Sequence, residues 1–222
     1  MATINHGILG GFSGKVGNIV GYRYKNRFCI RQMPVKTLKP PTLKQLAQRS
    51  KFGLSNAFLS QLRPALKPLP EKGKRQISAF NSCFSKVIRG AIAGSYPNFG
   101  IHYGAVKLTS GSLYSGCNCF VSEAAATLIF NWCPGTHNCP FEGSVVMLAY
   151  NPAKEQWIYH KAAAGNADRL AMLDLPCSFR GDRVETWLYF VSANGKAVSD
   201  SVYLGPVQVS GSFLCGGEIS LN

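Results

Sequence analysis

Cysteine and histidine cluster in the middle of the chain, where they could bind a metal ion. Cys117 and Cys119 form one group, and Cys133, His137 and Cys139 form a second. Zinc prefers thiolate and imidazole ligands, and two neighbouring loops could supply four of them. However, the Cys-x-Cys and Cys-x5-Cys spacings differ from zinc knuckles, in which about two to four residues separate the cysteines. We therefore expect no metal, and we interpret these residues as buried thiols or as a loop disulfide.

Two other patterns resemble cofactor or catalytic motifs but lack required residues. The string that ends in Gly14-Lys15 resembles a phosphate-binding P-loop, which needs a glycine where this chain has Leu9 and a hydroxyl residue where it has Val16. The four histidines are scattered, and no nucleophile lies beside an orienting base in the sequence. We expect no enzymatic activity, no cofactor and no small-molecule substrate.

Basic and aromatic residues alternate in a strand-like segment near the N-terminus. Lys25-Asn26 is a predicted turn, so the flanking residues should form a hairpin. Arginine and lysine neutralise phosphates while tyrosine and phenylalanine stack on bases, which is how single-stranded nucleic acids are bound. The same side chains could instead face an acidic partner subunit. The residues concerned are Tyr22, Arg23, Tyr24, Lys25, Arg27, Phe28 and Arg31.

Positive charge is concentrated in the first half of the chain. Residues 1–103 contain 17 of the 24 lysines and arginines but one acid, Glu71, for a net charge of +16. Residues 104–222 contain seven bases and nine acids, for a net charge of −2. An uncompensated basic region repels itself unless it lies against a polyanion or an acidic protein surface.

The N-terminal segment Gly7–Phe12 is glycine-rich and apolar and has no obvious core of its own. Such an arm could complete the sheet of a neighbouring subunit by strand addition, and head-to-tail addition would give filaments or rings. Because residues 1–6 do not resemble a secretory signal, we expect a cytoplasmic protein, or a part of an assembled particle or appendage, with reduced thiols. No apolar run approaches the roughly 18 residues of a membrane span.

The order of predicted elements indicates an α+β fold in three segments. Residues 1–32 form the glycine-rich arm and basic hairpin. Residues 33–103 form a proline-rich linker and two amphipathic helices, one starting after Thr42 and one running from about Lys74 to Ala93. Residues 104–222 contain short strands separated by turns such as Asn194-Gly195, which is typical of an antiparallel sandwich of the immunoglobulin or fibronectin type.

Several strings resemble a family of uncharacterised Bacteroidota proteins, a domain of unknown function. They are the segment from Gly7 to Tyr22 (GILGGFSGKVGNIVGY), the Pro41–Arg49 segment, the Tyr150–Lys154 segment and the segment from Phe190 to Gly205. The resemblance spans nearly the whole chain but implies no activity and no known binding residues. A looser analogy is with small phage structural proteins, which also combine a basic glycine hairpin with a Pro-Thr-led helix.

These observations predict a non-enzymatic structural protein that forms a homo-oligomer or polymer, such as a filament, an appendage or a particle, through its basic N-terminal module. The alternative is a sequence-nonspecific nucleic-acid-binding protein, including a capsid-like one, that uses the basic hairpin. In both cases the predicted contact residues are Phe12, Lys15, Tyr22, Arg23, Tyr24, Lys25, Arg27, Arg31, Lys44, Arg49 and Lys51.

Overall fold

The chain divides into two compact units, residues 1–42 and residues 43–222. The structure is a computed structural model, and it describes residues 3–4, 10–24, 27–35, 39–66, 69–70, 77–133, 143–162 and 168–210. Within the described residues, no helix has the length and apolar character needed to cross a bilayer.

The first unit is a four-stranded antiparallel sheet in the order β1-β2-β3-β4. The sheet contains the predicted hairpin, whose strands meet at the pair Tyr24 and Arg27, while the turn residues Lys25-Asn26 lie outside the described residues. A two-residue turn joins β2 to β3, and Gly17 has the positive φ of 54° that its first position requires. The strands are β1 (Thr3–Ile4), β2 (Phe12–Val16), β3 (Ile19–Tyr24) and β4 (Arg27–Gln32).

The second unit begins with helices and continues with strands. Its elements are α1 (Leu43–Ser60), α2 (Arg63–Leu66), α3 (Ala79–Gly90), β5 (Ile92–Ser95), β6 (Asn98–Ile101), β7 (Cys117–Ala124), β8 (Thr127–Cys133), β9 (Gly143–Asn151), β10 (Gln156–Ala162), β11 (Leu170–Asp174), β12 (Arg183–Ser192) and β13 (Val202–Gln208). The chain is therefore of the α+β class, as predicted.

Both predicted long helices are present, but the second is shorter than its periodicity indicated. Helix α3 starts at Ala79, where the Ser78 hydroxyl accepts a hydrogen bond from the Asn81 backbone N–H at 3.3 Å. It ends at Gly90 because the next residues pair as the hairpin β5–β6. The predicted Lys74 start lies outside the described residues.

Seven strands form two sheets that share a buried core, as expected of a β-sandwich. One sheet has the order β10-β9-β12-β13 and the other β11-β8-β7. Side chains from facing strands fill the space between them, for example Phe130 of β8, Met147 of β9 and Phe190 of β12, all of which are buried. The two sheets therefore pack face to face.

The helices cover the outer face of the four-stranded sheet, so this unit has three layers. Phe58 and Leu59 of α1 share a core with Leu148, Trp187 and other outward-facing residues of β9 and β12. Because both faces of these central strands are covered, they read as continuous apolar runs. The sequence analysis placed a segment boundary between residues 103 and 104, whereas the compact unit of the structure starts at Leu43.

A side chain at the end of α1 fixes the helix layer to the sheet. The Gln61 amide accepts a hydrogen bond from the Trp157 backbone N–H at 2.9 Å and donates one to the Glu155 carbonyl at 3.0 Å. The Trp157 indole N–H donates to the Phe58 carbonyl at 2.5 Å. These bonds satisfy polar groups that the packing of α1 against β10 would otherwise leave without partners.

Candidate interface on the N-terminal sheet

The pairing of β2, β3 and β4 sorts their side chains onto two faces of different character. Directly paired residues of antiparallel strands point to the same side of a sheet, and successive residues point to opposite sides. Gly21 pairs with Ile30 and with Gly14, whereas Tyr24 pairs with Arg27. One face is apolar and the other is basic and aromatic.

The apolar face carries Phe12, Val16, Ile19, Phe28 and Ile30, with the polar residues Arg23 and Gln32 toward opposite ends of the hairpin. The side chains of Val16, Phe28 and Ile30 are 50%, 49% and 63% exposed. The Phe12 ring lies over Gly21, where a Cβ would come within 2.5 Å of ring atoms. Gly21 is the one buried residue among the described part of residues 1–42. The described residues of this sheet therefore form an exposed apolar face and no buried core.

The basic face consists of Lys15, Tyr22, Tyr24, Arg27 and Arg31, all of which are exposed. The Arg31 guanidinium carbon lies 5.6 Å from the centroid of the Tyr22 ring, which is within the range of a cation–π contact. Tyr24 is 62% exposed. Residues 1–42 contain seven lysines and arginines and no acid. The first unit therefore contains no aspartate or glutamate that could form an ion pair with the cations of this face.

The structure thus brings together five of the predicted contact residues on one face of the first unit. Phe12 and Arg23 lie on the apolar face, and Lys25 is outside the described residues. Lys44, Arg49 and Lys51 belong to α1 of the second unit, where the Lys51 amine lies 4.9 Å from the centroid of the Phe99 ring.

The sequence analysis missed Val16, Ile19 and Ile30 as contact residues. The alternation of side chains in β3 and β4 could have indicated this face, because it places Ile19 on the same side as Gly21 and Ile30 on the same side as Phe28. Val16 of β2 lies on this face because it pairs with Ile19.

The expected free N-terminal arm needs a correction. Its residues 7–9 lie outside the described part, but Phe12 starts strand β2. Ser13 and Phe12 pair with Thr3 and Ile4, and the rest of β2 pairs with β3. Since Phe12 already belongs to the sheet of its own chain, it is not free to complete the sheet of a neighbouring subunit.

The predicted cysteine loops are also different in the structure, because the cysteines lie on adjacent strands. Cys117 starts β7 and Cys133 ends β8, and the two residues are directly paired. Cys119 is half-buried against the core of the sandwich. His137 and Cys139 lie outside the described residues. Among the residues that the structure describes, no group of three or more His, Cys, Asp and Glu side chains is placed to hold a metal ion.

One carboxylate in the second unit is buried, and its contacts indicate a structural role. Glu185 is 4% exposed and accepts a hydrogen bond from the Tyr203 hydroxyl at 2.5 Å. The Arg183 guanidinium lies 3.6 Å from the other carboxylate oxygen. Burial, followed by this hydrogen bond to Glu185, raises the pKa of Tyr203, so the phenol stays protonated and continues to donate.

Comparison with known proteins identifies the family of the chain. One similar solved structure is a fibronectin type III domain of the human collagen alpha-1(XX) chain. The two sequences are 18% identical, the match covers 50% of this chain and 97% of the collagen domain, and the TM-score is 0.34. No curated protein matches the sequence significantly. A family model matches residues 11–205, which includes most of both units. The chain belongs to the family of unknown function DUF6266.

Proposed function

We propose that this protein is a non-enzymatic structural subunit that assembles with copies of itself through its N-terminal sheet. The observation that carries the proposal is the exposed apolar face of Phe12, Val16, Ile19, Phe28 and Ile30 on a sheet without a core. Stable domains bury such a face against a second layer. A single layer of this kind therefore favours a partner.

A second copy of the same sheet fits this face best. Two apolar faces can pack at the usual spacing of about 10 Å between sheets. The seven uncompensated positive charges of residues 1–42 oppose any arrangement that brings two basic faces together. Packing through the apolar faces turns Lys15, Arg27 and Arg31 of the two copies away from each other and leaves Arg23 as the cation on the packed side, which reduces that repulsion. The contact is self-complementary, as a two-fold interface requires.

Growth beyond a dimer needs a second contact, and the edges of the sheet offer one. Strand β4 is an edge strand of the order β1-β2-β3-β4. The unpaired backbone groups of an edge strand can bond to another chain. Face-to-face and edge-to-edge contacts together would build a filament, an appendage or a particle.

Size-exclusion chromatography with light scattering, combined with negative-stain imaging, tests this proposal. We expect a mass above that of one chain and visible polymers or particles. A strictly monomeric, monodisperse protein would contradict the assembly function.

The second candidate function is sequence-nonspecific binding of nucleic acid, and the basic face favours it. Its exposed tyrosines could stack on bases while Lys15, Arg27 and Arg31 neutralise phosphates. For a single-stranded probe, loss of two phosphate contacts in Arg27→Glu/Arg31→Glu should lower the slope of log K against log salt by about 1.4. Arg23→Glu on the other face is the matched control.

A measurement of purified protein separates the two functions. The protein is prepared at low salt without nuclease, and its ratio of absorbance at 260 nm to that at 280 nm is measured. If the protein only self-assembles, this ratio should equal that of protein free of nucleic acid. Co-purifying nucleic acid would favour the second function, and polymers of clean protein would favour the first. A capsid-like subunit would give both results.

We also infer that the sandwich is of the immunoglobulin or fibronectin type. Its strands β7, β8 and β11 form one sheet, and β9, β12 and β13 form the other with β10 added at the edge. These positions correspond to strands A, B and E in one sheet and to C, F and G with an added C′ in the other. Such sandwiches commonly serve as bodies of cell-surface and structural proteins, which agrees with a structural subunit.

A further inference from the structure

Two exposed thiols face each other at the open end of the β7–β8 hairpin. Cys117 and Cys133 are directly paired residues of these antiparallel strands. Both are free and exposed. The Cys117 sulfur lies 4.0 Å from the Cys133 carbonyl oxygen, so the side chain of Cys117 reaches across to the neighbouring strand at the position of its partner.

The separation of the two backbones suits a disulfide. Directly paired residues in antiparallel strands have Cα atoms about 4.5–5.5 Å apart. A disulfide requires a Cα separation of about 4.4–6.8 Å. The two sulfurs can therefore bond after side-chain rotation, without a change in the register of the strands.

A β-bulge separates the third cysteine of this region from the pair. The register shifts between Cys117 and Phe120, where β7 contains one extra residue and Asn118 has a φ of 47°. The Cys119 sulfur contacts the carbonyls of Ser115 at 3.7 Å and Cys117 at 3.8 Å on its own strand. Cys119 also packs against the sandwich core, so it is less exposed than Cys117 and Cys133.

We propose that Cys117 and Cys133 form a reversible cross-strand disulfide that closes the open end of the β7–β8 hairpin. The oxidant is a small-molecule disulfide such as oxidised glutathione. One cysteine loses its proton and attacks a sulfur of the oxidant, which releases one small thiolate and leaves a mixed disulfide. The second cysteine loses its proton, attacks the protein sulfur and releases the second thiolate. The two protons pass to the released thiolates, so two protein thiols are oxidised and one small disulfide is reduced.

The burial of Cys119 and Cys83 favours reaction at the exposed pair Cys117 and Cys133. Burial, followed by the nearby Cys117 and Cys133 thiolates, raises the pKa of Cys119 to about 11. Burial raises the pKa of Cys83 to about 12. The thiolate is the attacking form, so both of these thiols react slowly. Cys177 is exposed but belongs to a short helical turn at residues 177–179, and it serves as a matched control.

Mass spectrometry of peptides tests the proposal on the full chain. Trypsin cannot separate the cysteines, since residues 108–153 contain no lysine or arginine. Cleavage after Glu123 and Glu142 places Cys117 and Cys119 in one fragment and Cys133, together with Cys139, in another. After oxidation by glutathione disulfide and alkylation of the remaining thiols, we expect the two fragments to stay joined until a reductant separates them.

Single variants identify the bond. The link should disappear in Cys117→Ser and in Cys133→Ser, and it should persist in Cys119→Ser and in the control Cys177→Ser. Fragments that separate without reductant in the native sequence would overturn the proposal. A link that survives Cys133→Ser, or that is lost in Cys119→Ser, would also overturn it, because another cysteine would then form the bond.

Discussion

Substitution of Ile30 by threonine should weaken self-association without unfolding the N-terminal sheet. Ile30 is 63% exposed on the apolar face, so its side chain contributes little to the isolated sheet. Threonine retains the β-branched shape that strands favour but removes much of the apolar surface. The variant therefore tests the face itself and leaves strand formation unchanged.

The size of the effect follows from the exposed fraction. Full burial of an isoleucine side chain contributes about 1.5–3 kcal/mol, so covering the 63% that is exposed should contribute roughly 1–2 kcal/mol. In a two-fold contact both copies carry the substitution, and the loss doubles to about 2–4 kcal/mol. The dissociation constant should then rise roughly 30- to 1,000-fold.

Tyr24→Thr is the matched control. Tyr24 is 62% exposed, nearly the same as Ile30, but it lies on the opposite face of the same sheet. Sedimentation velocity at a series of concentrations measures the association of the native protein and both variants, and circular dichroism checks that they fold alike. We expect Ile30→Thr to shift the protein toward monomer and Tyr24→Thr to leave its association unchanged. Equal effects of the two substitutions, or no effect of Ile30→Thr, would refute the assignment of the interface to the apolar face.

Three further predictions concern the second unit. Gln61→Ala should lower the free energy of unfolding by about 0.5–1.5 kcal/mol, since the part-buried Trp157 backbone N–H loses its acceptor. Urea unfolding measures this, with Gln48→Ala, at an exposed position of α1, as the control. Hydrogen bonds from Lys154 and then from an asparagine side chain hold the pKa of Asp182 below its usual range. Because the pKa of Asp182 is lower in the folded protein than in the unfolded protein, these bonds stabilise the fold fully at a pH above the unfolded pKa of about 3.9. The stabilisation is lost as the pH falls through the folded pKa. Asp182→Asn should therefore destabilise at pH 7 and have less effect at pH 2, and a constant difference across this range would contradict the argument. Cys83 is 1% exposed and should resist alkylation in the native protein until denaturant is added; prompt labelling would show that the helix layer does not cover it.

The sequence was sufficient to predict the central strands because their apolar runs are long. Residues 145–150 and 184–191 were predicted as strands and lie within β9 and β12. Residues 145–150 are apolar throughout, whereas Glu185 and Thr186 interrupt the second run. The sequence did not specify which elements cover the outer face of these strands, and in the structure they are α1 and α3. Packing between segments that are distant in sequence depends on three-dimensional complementarity, which the sequence pattern does not show.

Strand β7 shows why the cysteine region was wrongly interpreted as loops. Its first residues, Cys117, Asn118 and Cys119, contain a bulge, and asparagine is typical of turns. The strand alternates between exposed and half-buried residues, which gives a weak apolar signal. The pairing with Cys133 depends on the bulge, so spacing along the chain could not reveal it.

The two faces of the N-terminal sheet were likewise only partly predictable. The hairpin and its basic residues followed from composition and turn chemistry. The separation of Ile30 from Tyr24 required the register of β3 and β4, because a slip of one residue exchanges the faces. Arg23 and Phe28 were therefore grouped with basic and aromatic side chains of the opposite face, and the apolar surface was not identified.

The most direct test of the central claim is the mass of the full chain in solution, free of nucleic acid, measured by light scattering over a range of concentrations. The account predicts a mass above that of one chain that rises with protein concentration, with the rise reduced in Ile30→Thr. A mass equal to one chain at every concentration would contradict self-assembly through the N-terminal sheet.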